Sequence, residues 1–426
     1  MLVVCGTTGT MILLSLMLGA SAAVRGQIDW QAHPAMHIPW EFYDPGLVDE
    51  QPALTHKHTF TQTMYAPYMA ASGVRILLAA AMAAERARNP EQARALILEQ
   101  FEYVEAFVAE NPERYALART PQQARQILET TDKMVVIHSI EGGRLLLTQP
   151  DDAQFWADQG VALVTLIHLQ DDEFGGAAIN PDFIGKLINR AGVKKRRRDQ
   201  DRGLTGRGEE AMVELDAAGI LVDLTHMSPQ AVGESLVLME AHDIPPVVTH
   251  GKLSSIHDSE RAFTDAQVSH IYRQGGVFNM VLSGLSLQAM DNRVPEPADY
   301  CPGTLDGFQW HYDALQSILD ANLESITGVA DRSLLTEDQK TALATGWASD
   351  WNGWVNHSQP RHGPGACVQT LPEDPLEIDT LGLAHPGLLP QHWQRLEEAG
   401  VSLDPMLRSA ERFLQLWERA LDDPQR

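Results

Sequence analysis

The sequence predicts an α/β protein built as one (β/α)8 barrel of the TIM type, and three observations carry this prediction. Eight short apolar runs recur along the chain, and most are continuous rather than alternating, as is typical of strands buried on both faces. Amphipathic stretches separate most of these runs, so that strand and helix alternate. The length of 426 residues allows two or three domains, but it also accommodates a single barrel with long loops.

The eight apolar runs are the predicted strands of the barrel. In chain order they are residues 27–33, 74–80, 134–138, 161–168, 220–224, 247–249, 276–282 and 343–348. The predicted helices are residues 81–111, 121–130, 207–218, 229–242, 264–274 and 308–323, with a helix at 397–420 that closes the barrel. The turn-rich segments 286–307 and 356–390 are interpreted as long barrel loops. Residues 23–426 are therefore predicted to form one domain.

Residues 1–22 are predicted to be a signal peptide that is cleaved. No charged side chain precedes Arg25, the apolar run 11–18 has the length of a signal-peptide core, and Ala20-Ser21-Ala22 supplies a small-x-small cleavage site. A retained membrane anchor and a helix buried in the fold are the alternatives. The chain is therefore expected to be periplasmic or secreted, or else held at a membrane by an uncleaved N-terminus. Cys301 and Cys367 can pair in an oxidising compartment, and the sequence leaves this pairing open.

The charge balance bears on the partners of the chain. The 32 Lys and Arg residues face 57 Asp and Glu residues, which gives a net charge of −25. So acidic a surface repels nucleic-acid phosphates and anionic lipids, and it is compatible with a small-molecule or peptide substrate and with metal cations. The basic run 194–198 is interpreted as a solvated loop. A homodimer is compatible with the sequence.

Reactive side chains collect at the C-terminal ends of the predicted strands. They are His33, Glu141, His168, Asp223 with His226, His250 and Asp350. In a barrel these ends point to one face, where the loops build the active site. Imidazole and carboxylate ligands without a thiolate suit zinc. The sequence therefore predicts a metal site at that face, although a single strand-end His is more often an ordinary polar residue. Asp223 is interpreted either as holding a loop backbone or as orienting His226.

The motifs, taken in order, resemble those of the membrane (renal) dipeptidase family of zinc peptidases, within the amidohydrolase-like barrels. The resemblance rests on Glu-Gly-Gly at 141–143, Gly-Leu-Thr-Gly-Arg-Gly at 203–208, Asp-Leu-Thr-His-Met-Ser at 223–228, Thr-His-Gly at 249–251 and Asp-Trp-Asn-Gly at 350–353. No motif is specific alone, but the ordered set is, and it spans about half of the chain.

The resemblance implies a role for each metal-binding side chain. Glu141 would bridge two zinc ions, and His226 and His250 would complete the protein ligands of the second ion. The family's first strand ends in His-x-Asp, whereas this chain has Gln31 and His33 at those positions. Because an amide oxygen is a weaker zinc ligand than an imidazole, the first site would keep His33 and Glu141. One or two zinc ions are therefore expected.

The resemblance also implies how a substrate is held and cleaved. His168 would lie over the substrate and steady the scissile carbonyl, and Arg261 would grip the substrate carboxylate through its planar fork. Asp350 would take a proton from the attacking water and pass it to the leaving amine.

These features together predict a zinc-dependent dipeptidase that hydrolyses small dipeptides with metal-activated water. Two alternatives remain open. One is a one-metal amidohydrolase-like enzyme that opens another amide or a lactone. The other is a catalytically inactive binding homologue.

Overall fold

Eight parallel strands close into a barrel in the part of the chain that the structure describes. This structure, a computed structural model, describes residues 23–35, 66–83, 87–179, 202–257, 259–287, 296–297, 299–351 and 357–422. Nine strands are present among these residues, and all but β3 form the barrel: β1 (Gln27–Ala32), β2 (Val74–Met82), β3 (Tyr115–Leu117), β4 (Met134–Glu141), β5 (Val161–Thr165), β6 (Leu221–Asp223), β7 (Val247–Gly251), β8 (Val277–Val281) and β9 (Trp347–Ala348). The predicted fold class is therefore confirmed.

The barrel closes where β2 pairs with β4. The strand order is β2-β1-β9-β8-β7-β6-β5-β4, and the β2–β4 pairing joins its two ends. The short strand β3, which the sequence did not predict, pairs with the first half of β4, between Tyr115↔Met134 and Leu117↔Val136. Strand β5 pairs with β4 only from His138 onward, so β3 and β5 share one edge of β4.

Helices follow most of the strands. They are α1 (Ala66–Ala71), α2 (Pro90–Glu110), α3 (Pro121–Thr130), α4 (Asp152–Asp158), α5 (Gly206–Ala217), α6 (Pro229–Ala241), α7 (Asp265–Arg273), α8 (Gly284–Leu287), α9 (Asp306–Ala321), α10 (Leu323–Thr327), α11 (Glu337–Ala342), α12 (Glu377–Leu381), α13 (Leu389–Glu398), α14 (Asp404–Leu407) and α15 (Ser409–Asp422). Short 3-10 helices cover Arg332–Leu334 and Pro386–Leu388.

Several helices begin where a cap residue and a proline adjoin. Thr120 and Ser228 cap α3 and α6 by accepting from backbone N–H groups in the first turn, and a proline follows each of them. A proline at this position has no N–H to lose and has the backbone angle of a helix. The same signal corrects one prediction, because α2 begins at Pro90 after the Asn89 cap rather than at residue 81.

The predicted closing helix at 397–420 is correct only in its second half. Helix α13 ends at Glu398, and Gly400 follows with a φ of 83°, a conformation that favours glycine and ends a helix. Helix α15 then covers the N-terminal end of the barrel, where the ring of Phe413 lies 5.4 Å from that of Trp30, edge to face. The closing helix therefore begins at Ser409.

A charged cluster holds α15 in place. Arg125 on α3 donates to Glu411 from Nη1 at 2.9 Å and to Glu418 from Nε at 2.9 Å. The backbone N–H of Val24 also donates to Glu411, at 2.8 Å. The chain that leads into β1 is thus fixed at the end of the barrel away from the strand C-termini.

A disulfide joins two of the long loops. Cys301, in the loop before α9, is bonded to Cys367, beyond β9, across a sequence separation of 66 residues. The pairing that the sequence left open is therefore present. No helix among the described residues is long and apolar enough to cross a membrane. Residues 1–22 and the basic run 194–198 lie outside the described residues, and the division into a signal peptide and one domain stays a prediction.

Candidate metal centre

Six of the sequence-predicted side chains meet at the C-terminal mouth of the barrel. Each lies at or just beyond the end of a strand, and all are buried, with between 0% and 8% of each residue exposed: His33, Glu141, His168, His226, His250 and Asp350. One correction concerns His168, because β5 ends at Thr165 and His168 lies in the following loop. The expectation that side chains at the C-terminal ends of the strands meet at one face therefore located this cluster.

The carboxylate of Glu141 lies at the middle of the cluster. Its Oε2 atom is 3.2 Å from Nε2 of His33 and 3.5 Å from Nε2 of His168. Its Oε1 atom is 3.3 Å from Nε2 of His226 and 3.7 Å from Nε2 of His250. Burial alone would raise the pKa of Glu141, but the neighbouring rings of His168, His226 and His33 hold it well below its usual value. A charged carboxylate thus presents one oxygen to each side of the centre.

Two groups of candidate ligands share Glu141. One group is Glu141 with His226 and His250, and the other is Glu141 with His33 and Asp350. Within each group the ligand atoms lie within 4.8 Å of one another. This is the arrangement expected of a carboxylate that bridges two cations, with separate ligands completing each site.

The rings of His226 and His250 are held in the neutral form that binds metals. Their Nε2 atoms are 3.0 Å apart. Burial lowers the pKa of both rings well below the usual value, and the nearby charge of Arg261 lowers it further. A neutral imidazole keeps the lone pair that a metal ion requires.

A relay of hydrogen bonds decides which nitrogen of His250 is free. The Thr249 hydroxyl donates to Oδ2 of Asp223 at 2.8 Å, and the Thr225 hydroxyl donates to Oδ1 of the same carboxylate at 2.6 Å. The Thr249 oxygen, 2.9 Å from Nδ1 of His250, must therefore accept from that nitrogen. The proton of His250 is on Nδ1, and Nε2 faces the centre with its lone pair.

The two interpretations of Asp223 have different outcomes. Asp223 accepts backbone N–H groups from Thr225 and Thr249, each at 3.0 Å, so it does hold the loop backbone. The hydrogen bonds of its carboxylate run to Thr165, Thr225 and Thr249. The ring that it orients is therefore that of His250, through Thr249. Sequence reasoning missed Thr249, although the Thr-His pair at the end of β7 was the available signal.

His33 presents Nε2 to the other side of the centre. Its Nδ1 atom lies 3.1 Å from the carbonyl oxygen of Ala80, and since a carbonyl only accepts, Nδ1 carries a proton. Nε2 lies 3.3 Å from Oδ1 of Asp350. Burial lowers the pKa of His33, but hydrogen bonds to Asp350 and Glu141 outweigh it and raise the pKa to about 10. Positive charge is therefore favoured at Nε2, whether it comes from a proton or from a metal ion.

Two buried oxygen atoms beside His33 fit a cation. Oε1 of Gln31 is fully enclosed and has no hydrogen-bond partner among the described residues. The equally enclosed Oδ1 of Asp350 has the 3.3 Å contact with Nε2 of His33. Burial raises the pKa of Asp350 to about 6. An unpaired buried oxygen is costly, so a metal ion between these atoms would satisfy the Gln31 oxygen and would balance the charge of the Asp350 carboxylate. The residues present thus fit a metal ion on this side as well.

Hydrogen bonds between β1 and the segment after β9 fix His33 against Asp350. Asp29 accepts from the hydroxyl of Ser349 at 2.6 Å and from its backbone N–H at 2.9 Å. The backbone N–H of Asp350 donates to the carbonyl of Gln31 at 2.8 Å. These contacts join the first strand to the segment after the last strand and link residues more than 300 positions apart. The sequence alone therefore did not reveal them.

Two site residues have strained backbones. His226 has a φ of 72° and Asp350 a φ of 49°, in the left-handed region that non-glycine residues rarely occupy. Such a conformation costs on the order of 1–3 kcal/mol and persists where the surroundings impose it. The strain coincides with the two loops that aim a ring and a carboxylate into the centre.

Arg261 and His168 border the centre. The ring of His168 meets that of His226 edge to face, at 4.4 Å between centroids. Arg261 lies in the loop between β7 and α7, and its charge acts on both His226 and His250. The adjacent Glu260 is held by Arg202, whose Nη1 donates to it at 3.0 Å. The loop thus keeps a guanidinium close to the cluster.

Comparison with protein families gives one match over more than half of the chain. A family model described as membrane dipeptidase, peptidase family M19, matches residues 35–337. This range contains all of the site residues predicted from the sequence except His33 and Asp350.

Solved structures with the same fold cover nearly the whole chain. One is that of dipeptidase AC, a metallopeptidase of family M19, with 17% identity, a TM-score of 0.62, and coverage of 93% of this chain and 99% of that one. A metallopeptidase from Rhodobacter sphaeroides, liganded with a phosphinate mimic of the dipeptide L-Ala-D-Ala, gives the same four values. At this identity the likeness concerns the fold.

Curated relatives match only part of this chain and part of their own length. An uncharacterized dipeptidase of Schizosaccharomyces pombe is 24% identical over 47% of this chain and 45% of its own length. Dipeptidase ataJ of Aspergillus terreus is 23% identical over 56% of this chain and 59% of its own. Dipeptidase 3 of Mus musculus is 23% identical over 48% of this chain and 37% of its own. The chain thus spans less than two thirds of the length of each of them.

Proposed function

The chain belongs to the membrane dipeptidase family, peptidase family M19, and we propose that it is a zinc-dependent dipeptidase that hydrolyses the peptide bond of small dipeptides. The observation that carries the proposal is the position of Glu141, with one carboxylate oxygen toward His33 and the other toward His226 and His250. The relatives that bear the name dipeptidase support the substrate class.

The ligands proposed for the metal are His33, Glu141, His226 and His250. A metal ion held there would supply an activated water and polarise the substrate carbonyl. Imidazole and carboxylate oxygen are ligands that zinc prefers. Glu141 and the two neutral rings of His226 and His250 would hold an ion without any thiolate.

Three further residues would act on the substrate. Arg261 would bind the free carboxylate of the dipeptide, since a guanidinium fork matches a carboxylate. His168, beside Glu141 and His226, would donate to the scissile carbonyl oxygen as it becomes negative. Asp350 would take a proton from the attacking water and deliver it to the leaving amine.

We also propose that the chain acts outside the cytoplasm, after removal of residues 1–22. Disulfides persist in oxidising compartments, so the Cys301–Cys367 bond supports export. Mass spectrometry of the N-terminus of the purified native protein tests this proposal. A terminus near residue 23 is expected, whereas an intact Met1 would favour a retained membrane anchor.

A panel of substrates tests the proposed activity. The purified chain, supplied with zinc, is incubated with dipeptides, with N-acetyl amino acids and with lactones, and the products are separated by chromatography. Hydrolysis of dipeptides that stops on chelation and returns with zinc is expected, and the Glu141→Gln variant serves as the inactive control. Turnover confined to the other amides or lactones, or no turnover of any compound, would contradict the proposal.

A further inference from the structure

We propose that Arg202 and Glu260 are positioning residues, which hold the guanidinium of Arg261 where it meets the free carboxylate of a dipeptide. Their ion pair braces the loop that carries Arg261 against the loops that follow β5 and β6. The inference deepens the proposed function and rests on it for the role of Arg261. It adds that the affinity for substrate is set in part by a pair of residues that acts through Arg261.

Arg202 and Glu260 form a two-point contact. Nη1 of Arg202 donates to Oε1 of Glu260 at 3.0 Å, and Nη2 lies 2.9 Å from Oε2. Parallel contacts of this kind between a guanidinium and a carboxylate fix their orientation as well as their distance. The two side chains are 17% and 34% exposed, so water competes with the contact only in part. The pair is therefore suited to hold one loop against another.

Both members of the pair are also bonded to the loop that follows β5. Oε2 of Glu260 accepts from the backbone N–H of Ile179 at 3.0 Å. Nη2 of Arg202 donates to the carbonyl oxygen of Ala177. The ion pair is thus joined at two points to residues 177–179, which lie in the same loop as His168.

That loop is bonded in turn to the backbone around His226. The N–H of Ala178 donates to the carbonyl oxygen of His226 at 2.6 Å. The hydroxyl of Ser228, the cap residue of α6, donates to the carbonyl oxygen of Arg202 at 2.6 Å. The brace therefore connects Glu260 to the segment that carries a proposed metal ligand.

Phe263 anchors the other end of the segment that carries Arg261. Its backbone N–H donates to the carbonyl oxygen of Lys252 at 2.8 Å. Its ring packs edge to face on Phe278 of β8, with 5.4 Å between the ring centroids. Arg261 thus lies between two fixed neighbours, Glu260 before it and Phe263 two residues after it. Loss of the ion pair would release only the first of them.

The brace affects substrate binding more than the chemical step. The charge of Arg261 acts on the pKa of both His226 and His250, so its guanidinium is close to the centre. A guanidinium held in place avoids the entropy cost of ordering a long side chain when the carboxylate binds. This gain is present in the ground state and in the transition state alike, so its loss raises KM and leaves kcat nearly unchanged.

Steady-state kinetics of the full chain supplied with zinc test the inference. Glu260→Gln keeps the shape of the side chain but removes its charge. It should raise KM for dipeptides with a free C-terminus by about tenfold, with kcat within about twofold of the wild type. For dipeptides with an amidated C-terminus, which offer Arg261 no carboxylate, the variant should behave as the wild type does. An unchanged KM, or equal rises on both kinds of dipeptide, would overturn the inference.

Glu214→Gln is the matched control. Arg207 donates to Glu214 at 2.7 Å and to the carbonyl oxygen of Leu147 at 2.9 Å, as Arg202 donates to Glu260 and to Ala177. This second pair is joined to none of the loops that carry the site residues through the contacts described above. Glu214→Gln should leave KM unchanged, and a rise equal to that of Glu260→Gln would overturn the inference.

A second variant keeps the test decisive if Glu260→Gln does not fold, which circular dichroism reports. Arg202→Lys keeps the charge but loses the two-point contact, and it should raise KM in the same selective way. The double variant should lose no more than either single variant, because both residues act through one contact. Losses that add in the double variant would show that the two residues act separately, against the inference.

Binding without turnover separates this inference from the proposed function. The probe is a phosphinate analogue of a dipeptide with a free C-terminal carboxylate, and calorimetry measures its dissociation constant. Glu260→Gln should bind the probe about tenfold more weakly than the wild type. This difference without any dipeptide hydrolysis would retain the inference and refute the dipeptidase proposal. Hydrolysis by the wild type with the same KM in the variant would do the reverse, and neither hydrolysis nor binding would refute both.

Discussion

The Nε2 atoms of His226 and His250 lie 3.0 Å apart, and the proton of His250 is on the far side of its ring. Two neutral imidazoles converge on one point beside the charged carboxylate of Glu141. In a protein interior, such a set of ligand atoms is suited to binding a metal ion. The hydroxyl of Thr249 maintains this arrangement, because it accepts from His250 while it donates to Asp223. The metal affinity of the chain should therefore depend on a side chain that does not face the metal.

We expect the Thr249→Val variant to bind zinc about 10- to 100-fold more weakly at the group of Glu141, His226 and His250. Valine has the shape of threonine but cannot accept from His250, and loss of such outer hydrogen bonds has effects of this size. Competition with a chelator measures the affinity. Thr225→Val is the matched control, since Thr225 donates to the same Asp223 carboxylate without a hydrogen bond to a ring of the centre. An equal loss in both variants would show that Asp223, rather than Thr249, sets the affinity.

The Arg261→Lys variant should raise KM for dipeptides about 10- to 100-fold with a smaller change in kcat. Lysine keeps the charge near His226 and His250 but loses the fork that pairs with a carboxylate. Steady-state kinetics measure both constants. The sharper readout is a dipeptide with an amidated C-terminus, on which wild type and variant should behave alike. Arg273→Lys, on the exposed side of α7, controls for the substitution itself. A fall in kcat alone would place Arg261 in another role.

Local sequence signals account for most of the fold. Helix α3 was predicted at both ends because a cap, a proline and an amphipathic run of ten residues coincide at 121–130. Strand β3 was missed because three residues do not establish a pattern, and its pairing partner is β4, outside the local sequence. The start of the closing helix was missed because an apolar pattern continues across Gly400, where the backbone turns.

The candidate site was predictable to the level of side chains but not of their contacts. The C-terminal ends of the strands of a barrel share one face, and this rule alone placed Glu141 and the histidines together. The 3.4 Å contact between the side chains of Gln31 and His33 depends on ring and amide orientation. The hydrogen bonds between Asp29 and Ser349 depend on the pairing of the first and last strands. Such relations come from register and geometry, which composition and spacing do not encode.

The disulfide should stabilise the chain by about 2–4 kcal/mol, because it closes a loop with a sequence separation of 66 residues. We expect the free energy of unfolding of the double variant Cys301→Ser, Cys367→Ser, measured in urea, to be lower by that amount. Reduction of the wild type should produce the same change and should not affect the variant. A variant as stable as the oxidised wild type would show that the loops hold their positions without the bond.

Acid should destabilise the fold through its buried histidines, and His392 offers a clean test. Burial lowers the pKa of His392 to about 3, against 6.5 for an exposed ring, and its Nε2 atom has no hydrogen-bond partner among the described residues. Between pH 6.5 and about 3, His392 therefore stays neutral in the folded chain but binds a proton in the unfolded chain. The resulting stability is complete above pH 6.5 and is lost as the pH falls from 6.5 toward 3, by up to about 1.4 kcal/mol per pH unit.

The His392→Leu variant should abolish this difference in proton binding between the folded and the unfolded chain. Its free energy of unfolding, measured in urea at pH 4, 5, 6 and 7, should fall less steeply with acid than that of the wild type, by up to about 1.4 kcal/mol per pH unit. The His242→Asn variant, at an exposed histidine, is the matched control for the substitution. If His392→Leu retains the wild-type slope, then His392 already takes up a proton inside the fold, and the penalty for charging it among Phe308 and Trp393 is smaller than its burial indicates.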